Sequence, residues 1–361
     1  MVWCCLSTTE GWKAYRWSRR EFPKKSEIQC YCDLTEGHGD GDDPLLTGST
    51  QLPLALGVPP SSSIPPSLPP ALSGLRRDIE SPAGRISLYS AGPQGAARGL
   101  PPLLLVHSVN AAASAAEVAP LFDHCARQRP VYALELPGFG FSERSARAYT
   151  PRLMTDALHA ALAVIQSEHG GAVPDVLAVS LSGEFAVRAK TEAPHTIRRL
   201  ALVSPTGFSG KKRRYGPAGG TLGLPWLYRL LTLDCWRQGI FKALTRPSVI
   251  RYFLKRTWGS GHIDETLWRY CVLTSRQPDA ANAPLYFVSA YLFSTDINQL
   301  YERLEGPVWV SMATRGDFTD YRGRHTVEGK RNWQFCAIEG GALAFFEDLN
   351  GFTQKLDPHW D

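Results

Sequence analysis

The sequence predicts an α/β fold with a mostly parallel sheet flanked by helices. Three observations predict it. Short, largely apolar runs recur at residues 102–106 (PLLLV), 131–136 and 176–179 (VLAV), the pattern of strands buried on both faces. Between the second and third runs lies a helical stripe of Leu153, Ala157, Leu158, Ala161, Leu162 and Ile165. The third run breaks at Ser180-Leu181-Ser182-Gly183 and passes into an amphipathic helical pattern. Strands alternating with helices give parallel pairing through right-handed crossovers.

The first part of the chain stands apart from this pattern. Residues 1–50 are mixed polar, with a low-complexity acidic run, GHGDGDD, at 37–43. Residues 51–72 carry no charge, and seven prolines and a serine run fall within 53–70. Prolines remove backbone donors, so this stretch cannot cross a membrane as a helix; it reads as a semi-extended linker. Residues 1–74 are thus expected to be a disordered or proline-rich extension. Ser18-Arg19-Arg20-Glu21-Phe22 resembles a twin-arginine export signal, but Pro23-Lys24-Lys25-Ser26-Glu27 follows in place of an apolar stretch. No secretory signal or membrane span is visible, and the expectation is a cytoplasmic chain, with peripheral membrane contact left open.

At 361 residues and 43% hydrophobic content, the chain has material for one large α/β core and additions to it. The run at 102–106 opens into a small-residue loop, HSVNAA. The run at 131–136 breaks at Pro137-Gly138-Phe139-Gly140-Phe141-Ser142. Thr150-Pro151 supplies an N-cap and a proline at the first helical position, and the helix is expected to stop at Gly170-Gly171. Residues 200–205 form another apolar strand, followed much later by Gly306-Pro307-Val308-Trp309-Val310 and by a last strand over 333–338. The core is therefore divided as 75–206 and 305–361, with 207–304 as a helical insertion late in the sheet. In open parallel sheets ligands sit at the carboxyl ends of strands, where Val109, Ser142 and Ser180 fall.

The break at Ser180 has the layout of a nucleophile elbow, with small residues two positions either side of a serine. The flanks here are Ala178 and Ser182. Choosing Ser182 as the nucleophile instead would place Glu184, bulky and charged, at a tight flank. From about Leu75 onward the chain resembles the α/β-hydrolase superfamily, through HSVNAA in place of the usual oxyanion loop, LPGFGFS after the next strand, the Ser180 elbow and the order of elements. The resemblance implies Ser180 as nucleophile and the backbone N–H groups of Leu181 and Val109 as the oxyanion hole. It implies an acid after the next-to-last strand, for which Asp317 is the candidate and Asp320 the runner-up.

The same resemblance expects a histidine after the last strand. The chain reads Glu339-Gly340-Gly341-Ala342-Leu343-Ala344-Phe345-Phe346-Glu347, so Ala342 stands at the histidine's place. Without a base, a serine hydroxyl is a poor nucleophile near neutral pH. His107, His325 and His359 are the possible substitutes. His107 reads as a structural hydrogen bond holding its loop, and His325 and His359 read as surface residues, so the base stays unassigned.

Charge is uneven along the insertion. Residues 211–256 hold eleven Lys or Arg against one acid, Asp234, starting with Lys211-Lys212-Arg213-Arg214. Trp226, Leu227, Leu230, Leu231, Phe241, Leu244, Val249, Ile250, Phe253, Leu254 and Trp258 follow at helical spacings of three and four. Such helices pack one face on a core, and they also resemble interfacial helices that settle on anionic lipid; an anionic membrane surface is the partner this segment suggests. The basic residues interleave with core-type apolar ones and no nucleic-acid module is present, which argues against nucleic acid.

Eight cysteines stand at 4, 5, 30, 32, 125, 235, 271 and 336. The first four lack the C-x2-C spacing of a zinc site, and reduced thiols are the default for a cytoplasmic chain. No metal and no cofactor are expected, and the sequence does not specify an oligomeric state.

Two function classes remain open. One is a serine hydrolase of a carboxylic ester, thioester or lactone, an apolar acyl compound, with acyl transfer through Ser180. The other is a hydrolase-like binding protein with weakened chemistry, or a peripheral membrane acyltransferase or lipid-acting protein. The elbow favours the first and Ala342 the second.

Overall fold

The computed structural model describes residues 66–93, 100–210 and 213–361, and the backbone of 5–8 and 11–14. Strands β1 (Cys5–Thr8) and β2 (Gly11–Ala14) form a two-stranded sheet of their own. The main sheet holds β3 (Leu75–Ile79), β4 (Ile86–Ala91), β5 (Leu103–Val106), β6 (Val131–Glu135), β7 (Asp175–Val179), β8 (Leu200–Val203), β9 (Val308–Ala313) and β10 (Trp333–Ile338). Its order is β10-β9-β8-β7-β5-β6-β4-β3. The β3–β4 and β4–β6 pairs are antiparallel, and the pairs from β6 through β5, β7, β8 and β9 to β10 are parallel.

Both faces of the central strands are buried, which explains their apolar runs. Leu104, Val106, Val176, Ala178, Leu200, Leu202, Val308 and Val310 turn to one face. Leu103, Leu105, Leu177, Val179, Ala201, Val203 and Trp309 turn to the other. Helix α1 (Ala119–Cys125) covers the second face with Leu121 and Phe122. Helices α2 (Pro151–Glu168) and α3 (Ser182–Glu192) cover the first, with Leu158, Leu162 and Phe185 among their buried residues. Thr150 caps α2 by accepting from the Leu153 N–H at 3.2 Å, and the chain leaves that helix through Gly170 and Gly171, both at positive φ.

Among the described residues, six helices fill the stretch between β8 and β9: α4 (Pro225–Leu231), α5 (Arg237–Leu244), α6 (Pro247–Trp258), α7 (Glu265–Thr274), α8 (Asn282–Val288) and α9 (Ile297–Arg303). The last helix, α10 (Leu349–Leu356), returns to the second face through Phe352 and Leu356. Two buried ion pairs fasten α3 to the inserted segment. Arg214 meets Glu184 at 2.6 Å and Arg188 meets Asp296 at 2.5 Å, with both carboxylates essentially sealed from solvent. Ser294 N–H and Thr206 Oγ1 complete the Glu184 shell. Arg214, read from the sequence as part of a basic run suited to an anionic surface, is bound to the buried Glu184 and is therefore a structural residue, while Lys211 and Lys212 lie outside the described residues.

Residues 66–74, assigned from the sequence to the linker, lie on the core. The carbonyls of Pro66 and Pro69 accept from Gln277 Nε2 and Tyr270 Oη, each at 2.8 Å, and Leu72 is buried. Extended proline-rich backbone makes no internal hydrogen bonds, so its carbonyls are free for such contacts.

Candidate active site

The chain switches direction across the sheet between β5 and β7, which are neighbours. The loops leaving their carboxyl ends therefore meet at a topological switch point, where open α/β sheets place ligands. Ser180 follows β7 directly. Its φ is +55°, a left-handed conformation that costs a non-glycine residue about 1–3 kcal/mol and is held only by surrounding structure. What holds it is specific: Ser180 N–H donates to the Val203 carbonyl at 2.8 Å, and its own carbonyl accepts from Gly183 at 3.1 Å.

Geometry separates the two serines of the elbow. Ser182 is fully buried, and its hydroxyl donates to the Val179 carbonyl at 2.7 Å. Ser180 is partly exposed, and among the described residues its hydroxyl has no hydrogen-bond partner. Only Ser180 offers a free oxygen. A neighbouring glycine is also constrained: a Cβ on Gly183 would lie 3.3 Å from Leu202 Cδ2, so α3 and β8 approach closely there.

Opposite the serine, the β5 loop is latched from below. Glu117, almost wholly buried, accepts from Ser108 N–H at 2.8 Å and from Asn110 Nδ2 at 2.6 Å. Asn110 Oδ1 in turn accepts from Ala112 N–H at 2.8 Å. Burial pushes the Glu117 carboxyl above its ordinary range, against the pull of those donors. Val109 sits inside this latched loop. Among the described residues, neither its N–H nor that of Leu181 donates to a protein acceptor. Both are groups that a developing oxyanion can use. The sequence reading missed Glu117; its one signal was a lone acid inside the small-residue stretch AAASAAEV.

The other half of the constellation is built differently. Asp317 leaves the β9 loop and binds Arg256 with both oxygens, Nε to Oδ2 at 2.5 Å and Nη2 to Oδ1 at 2.9 Å. That pairing raises the Arg256 guanidinium further above its ordinary value. Asp317 N–H also donates to the Arg256 carbonyl at 3.1 Å, and Ala342 N–H donates to the Thr257 carbonyl at 2.9 Å. The last carbonyls of a helix lack intrahelical partners; here those of α6 are satisfied by the two loops that follow β9 and β10. The helix ends at Gly259 with φ +61°, and a Cβ there would lie 2.3 Å from the Gly316 nitrogen. Gly341 is equally confined, its would-be Cβ 2.5 Å from the Thr257 oxygen. Ala342 is buried, and its carbonyl accepts from Ser204 Oγ at 3.1 Å. Asp320 is engaged elsewhere: Arg322, then Ser209 and Gly210, hold its carboxyl well below the usual range.

None of the three histidines weighed as a base is placed to serve. His107 is fully buried; Leu136 N–H donates to its Nε2 at 3.1 Å, so Nδ1 carries the proton that goes to the Ser108 carbonyl at 2.6 Å. Both ring nitrogens are spent, and burial lowers its pKa to about 4. His325 is exposed on the turn Arg322–Thr326, with Nδ1 on the Arg322 carbonyl and Nε2 against Arg213. His359 lies at the amino ends of the strands, where its carbonyl accepts from Arg199 just before β8, the edge opposite Ser180. Expected at the surface, it is buried.

Two surface depressions, of ≈ 580 Å³ beside Glu302, Lys330 and Asn332 and of ≈ 360 Å³ beside His124, Gln128 and Asp357, do not touch Ser180. Among the described residues no group of three or more His, Cys, Asp or Glu is arranged to hold a metal ion, and no helix is long and apolar enough to cross a membrane. Cys125 and Cys271 are buried free thiols, Cys235 is an exposed one and Cys336 lies partly exposed. The side chains of Cys4, Cys5, Cys30 and Cys32 lie outside the described residues.

Comparisons agree with this architecture. Residues 101–232 match the family profile described as alpha/beta hydrolase fold. No curated protein sequence matches the chain. Among solved structures, a bacterial membrane phospholipase A is similar at 18% identity and TM-score 0.59, covering 79% of this chain and 85% of that one. The enol-lactonase of Burkholderia xenovorans is similar at 14% identity and TM-score 0.59, covering 78% and 99%. The carboxylesterase CesB of Bacillus subtilis is similar at 18% identity and TM-score 0.57, covering 80% and 91%. By strand order and by the family match over residues 101–232, the chain has the α/β-hydrolase fold.

Proposed function

We propose that the chain is a serine-type hydrolase of activated acyl compounds, carboxylic esters, thioesters or lactones, with Ser180 as the acyl acceptor. The observation that carries this reading is the pairing of a strained, partly exposed Ser180 with two N–H groups, on Val109 and Leu181, that have no protein acceptor among the described residues. The carbonyl carbon is attacked by Ser180 Oγ while the carbonyl oxygen takes its negative charge to the two N–H donors. The serine proton leaves to water, the leaving group departs with the C–O or C–S bonding pair, and water then hydrolyses the acyl-serine.

Ala342 sets the substrate class. Loss of the base costs a well-studied serine hydrolase about a millionfold in turnover, and the oxyanion hole with substrate binding still leaves about 10³–10⁴ over water. Such residual power suffices only where the leaving group departs without being protonated, as a thiolate, an enolate or an acidic alkoxide does. The enol-lactonase, carboxylesterase and phospholipase A among the similar structures are named for action on esters and lactones, which supports acyl-ester chemistry and not the individual substrate; of the three names, only the enol-lactone implies an enolate leaving group.

A second reading is favoured by one observation, the hold of Arg256 on Asp317: a hydrolase-like binding protein that presents the oxyanion site to a carbonyl ligand without turnover. Fluorophosphonate labelling of the native chain and of Ser180→Ala separates the two. Labelling of the native chain alone supports the hydrolase. Absence of labelling in folded native protein supports the binding protein.

A further inference from the structure

Exposed apolar side chains are concentrated in one stretch of the chain. Of eleven exposed large hydrophobic residues among those described, nine fall between residues 215 and 253. Trp226 is 55% exposed, Tyr252 48%, Leu233 47%, Trp236 42% and Phe253 39%. Single exposed apolar residues need no account, but a concentrated set marks an interaction site.

Helical geometry sorts these residues from the ones that hold the segment in place. On α4, Trp226, Arg229 and Leu230 share one face at i, i+3 and i+4, and Leu227 and Leu231 are buried on the other. On α6, Tyr252 and Lys255 share an exposed stripe beside Phe253, and Ile250 and Trp258 are buried. Phe241 anchors α5 and leaves Lys242 outside. The corner between α4 and α5 is fixed by Trp236 Nε1 donating to the Leu230 carbonyl at 2.6 Å. The outer face is thus aromatic and basic on helices whose inner face is locked.

Charge decides the occupant. Arg214, Arg251 and Arg256 are consumed by Glu184, Glu265 and Asp317. Arg229, Lys242, Arg246 and Lys255 are exposed and take part in no salt bridge among the described residues. The only acid in the segment is Asp234. A second copy of the chain is a poor occupant, because a two-fold contact would set this positive face against itself. Bulky aromatics with flanking Lys and Arg match a lipid headgroup layer that is apolar below and anionic above.

We infer that the outer face of α4, α5 and α6 seats the protein on an anionic lipid surface. The seat reaches the candidate site through one helix: Arg256 Nη1 donates to Tyr252 Oη at 2.8 Å, and the same guanidinium holds Asp317.

The test is flotation of the full chain with phosphatidylcholine vesicles, with and without phosphatidylglycerol, at low and high salt. The protein should float only with phosphatidylglycerol and lose binding as salt rises. Each of Arg229→Gln, Lys242→Gln, Arg246→Gln and Lys255→Gln should lower partitioning about fivefold. Trp226→Ser should also lower it, and tryptophan quenching by brominated lipid should weaken in that variant. If one of these charge variants fails to fold, the other three and the salt series carry the test. No flotation of the native chain, equal binding to neutral and anionic vesicles, or binding unmoved by the charge variants overturns the inference. So does a Trp226→Ser variant that changes oligomeric mass in place of vesicle binding.

Discussion

Asp317 is gripped at both carboxylate oxygens by Arg256, a residue 61 positions earlier at the end of α6. The α/β-hydrolase resemblance gives Asp317 the task of orienting an imidazole, and here the carboxylate is turned to a guanidinium. Ala342, which the same resemblance sets at the imidazole's place, donates its N–H to the next carbonyl of the same helix, Thr257. The two departures share one element.

Restoring the histidine alone is therefore predicted to do little. In Ala342→His the new ring meets an acid already paired, and ester hydrolysis should change by less than about tenfold. Adding Arg256→Gln frees Asp317, and the double variant should gain one to two orders of magnitude, since a placed general base contributes about 10²–10⁴-fold. Rates are read with an aryl ester and must fall to background when Ser180→Ala is added. Equal rates in the single and double variants would show that the Arg256–Asp317 pair does not restrain the site.

The sheet was legible in the sequence because strands buried on both faces carry no polar alternation. Residues 103–106 and 176–179 could be read as strands on that ground alone, whereas Trp333–Ile338 is an edge strand with Gln334 and Ala337 exposed. Ser180 was legible because only small residues fit the flanks of so tight a turn. The partner of Asp317 was not legible. Nothing in the composition around Arg256 distinguishes it from Arg229 or Lys255, and only the direction in which α6 ends decides which cation meets an acid. Residues 66–74 misled for a related reason: prolines announce extended backbone, but not what Tyr270 and Gln277 will find in its carbonyls.

Arg214 should behave unlike its neighbours in the basic segment. Its partner Glu184 is wholly buried, so Arg214→Gln leaves a buried charge uncompensated and should cost about 3–5 kcal/mol. Arg229→Gln, on the exposed face, should stay within about 0.5 kcal/mol of the native chain. Urea denaturation of the two variants decides it, and similar losses in both would contradict the assignment.

Glu117 holds the Val109 loop from within the core, through Ser108 N–H and Asn110 Nδ2. Glu117→Ala removes the acceptor of Ser108 N–H and of Asn110 Nδ2 and should cost about 2 kcal/mol of stability. It should also slow fluorophosphonate labelling of Ser180 by a hundredfold or so, the worth of one oxyanion donor. Glu117→Gln, which keeps one acceptor, should fall between. Destabilisation with an unchanged labelling rate would confine Glu117 to a packing role.

Two buried groups give stability an opposed dependence on pH. Burial raises Glu135 from its ordinary 4.5 to about 7. The folded state then keeps a proton that the unfolded state releases between those values, so this contribution is full below 4.5 and lost as pH rises through 7. Burial lowers His107 from 6.5 to about 4. Its contribution runs the other way, full above 6.5 and lost as pH falls through 4. Each slope approaches about 1.4 kcal/mol per pH unit, and from 4.5 to 6.5 the two oppose each other. Glu135→Gln removes one of them. The variant's stability relative to the native chain should therefore rise by about 3 kcal/mol from pH 4.5 to a plateau above 7. Any fixed cost of the amide, including a buried NH₂ beside the Ala115 N–H, shifts the whole curve and leaves this rise intact. Urea midpoints across the range measure it. A difference between variant and native chain that stays constant with pH would mean that Glu135 is ionised in the folded protein throughout.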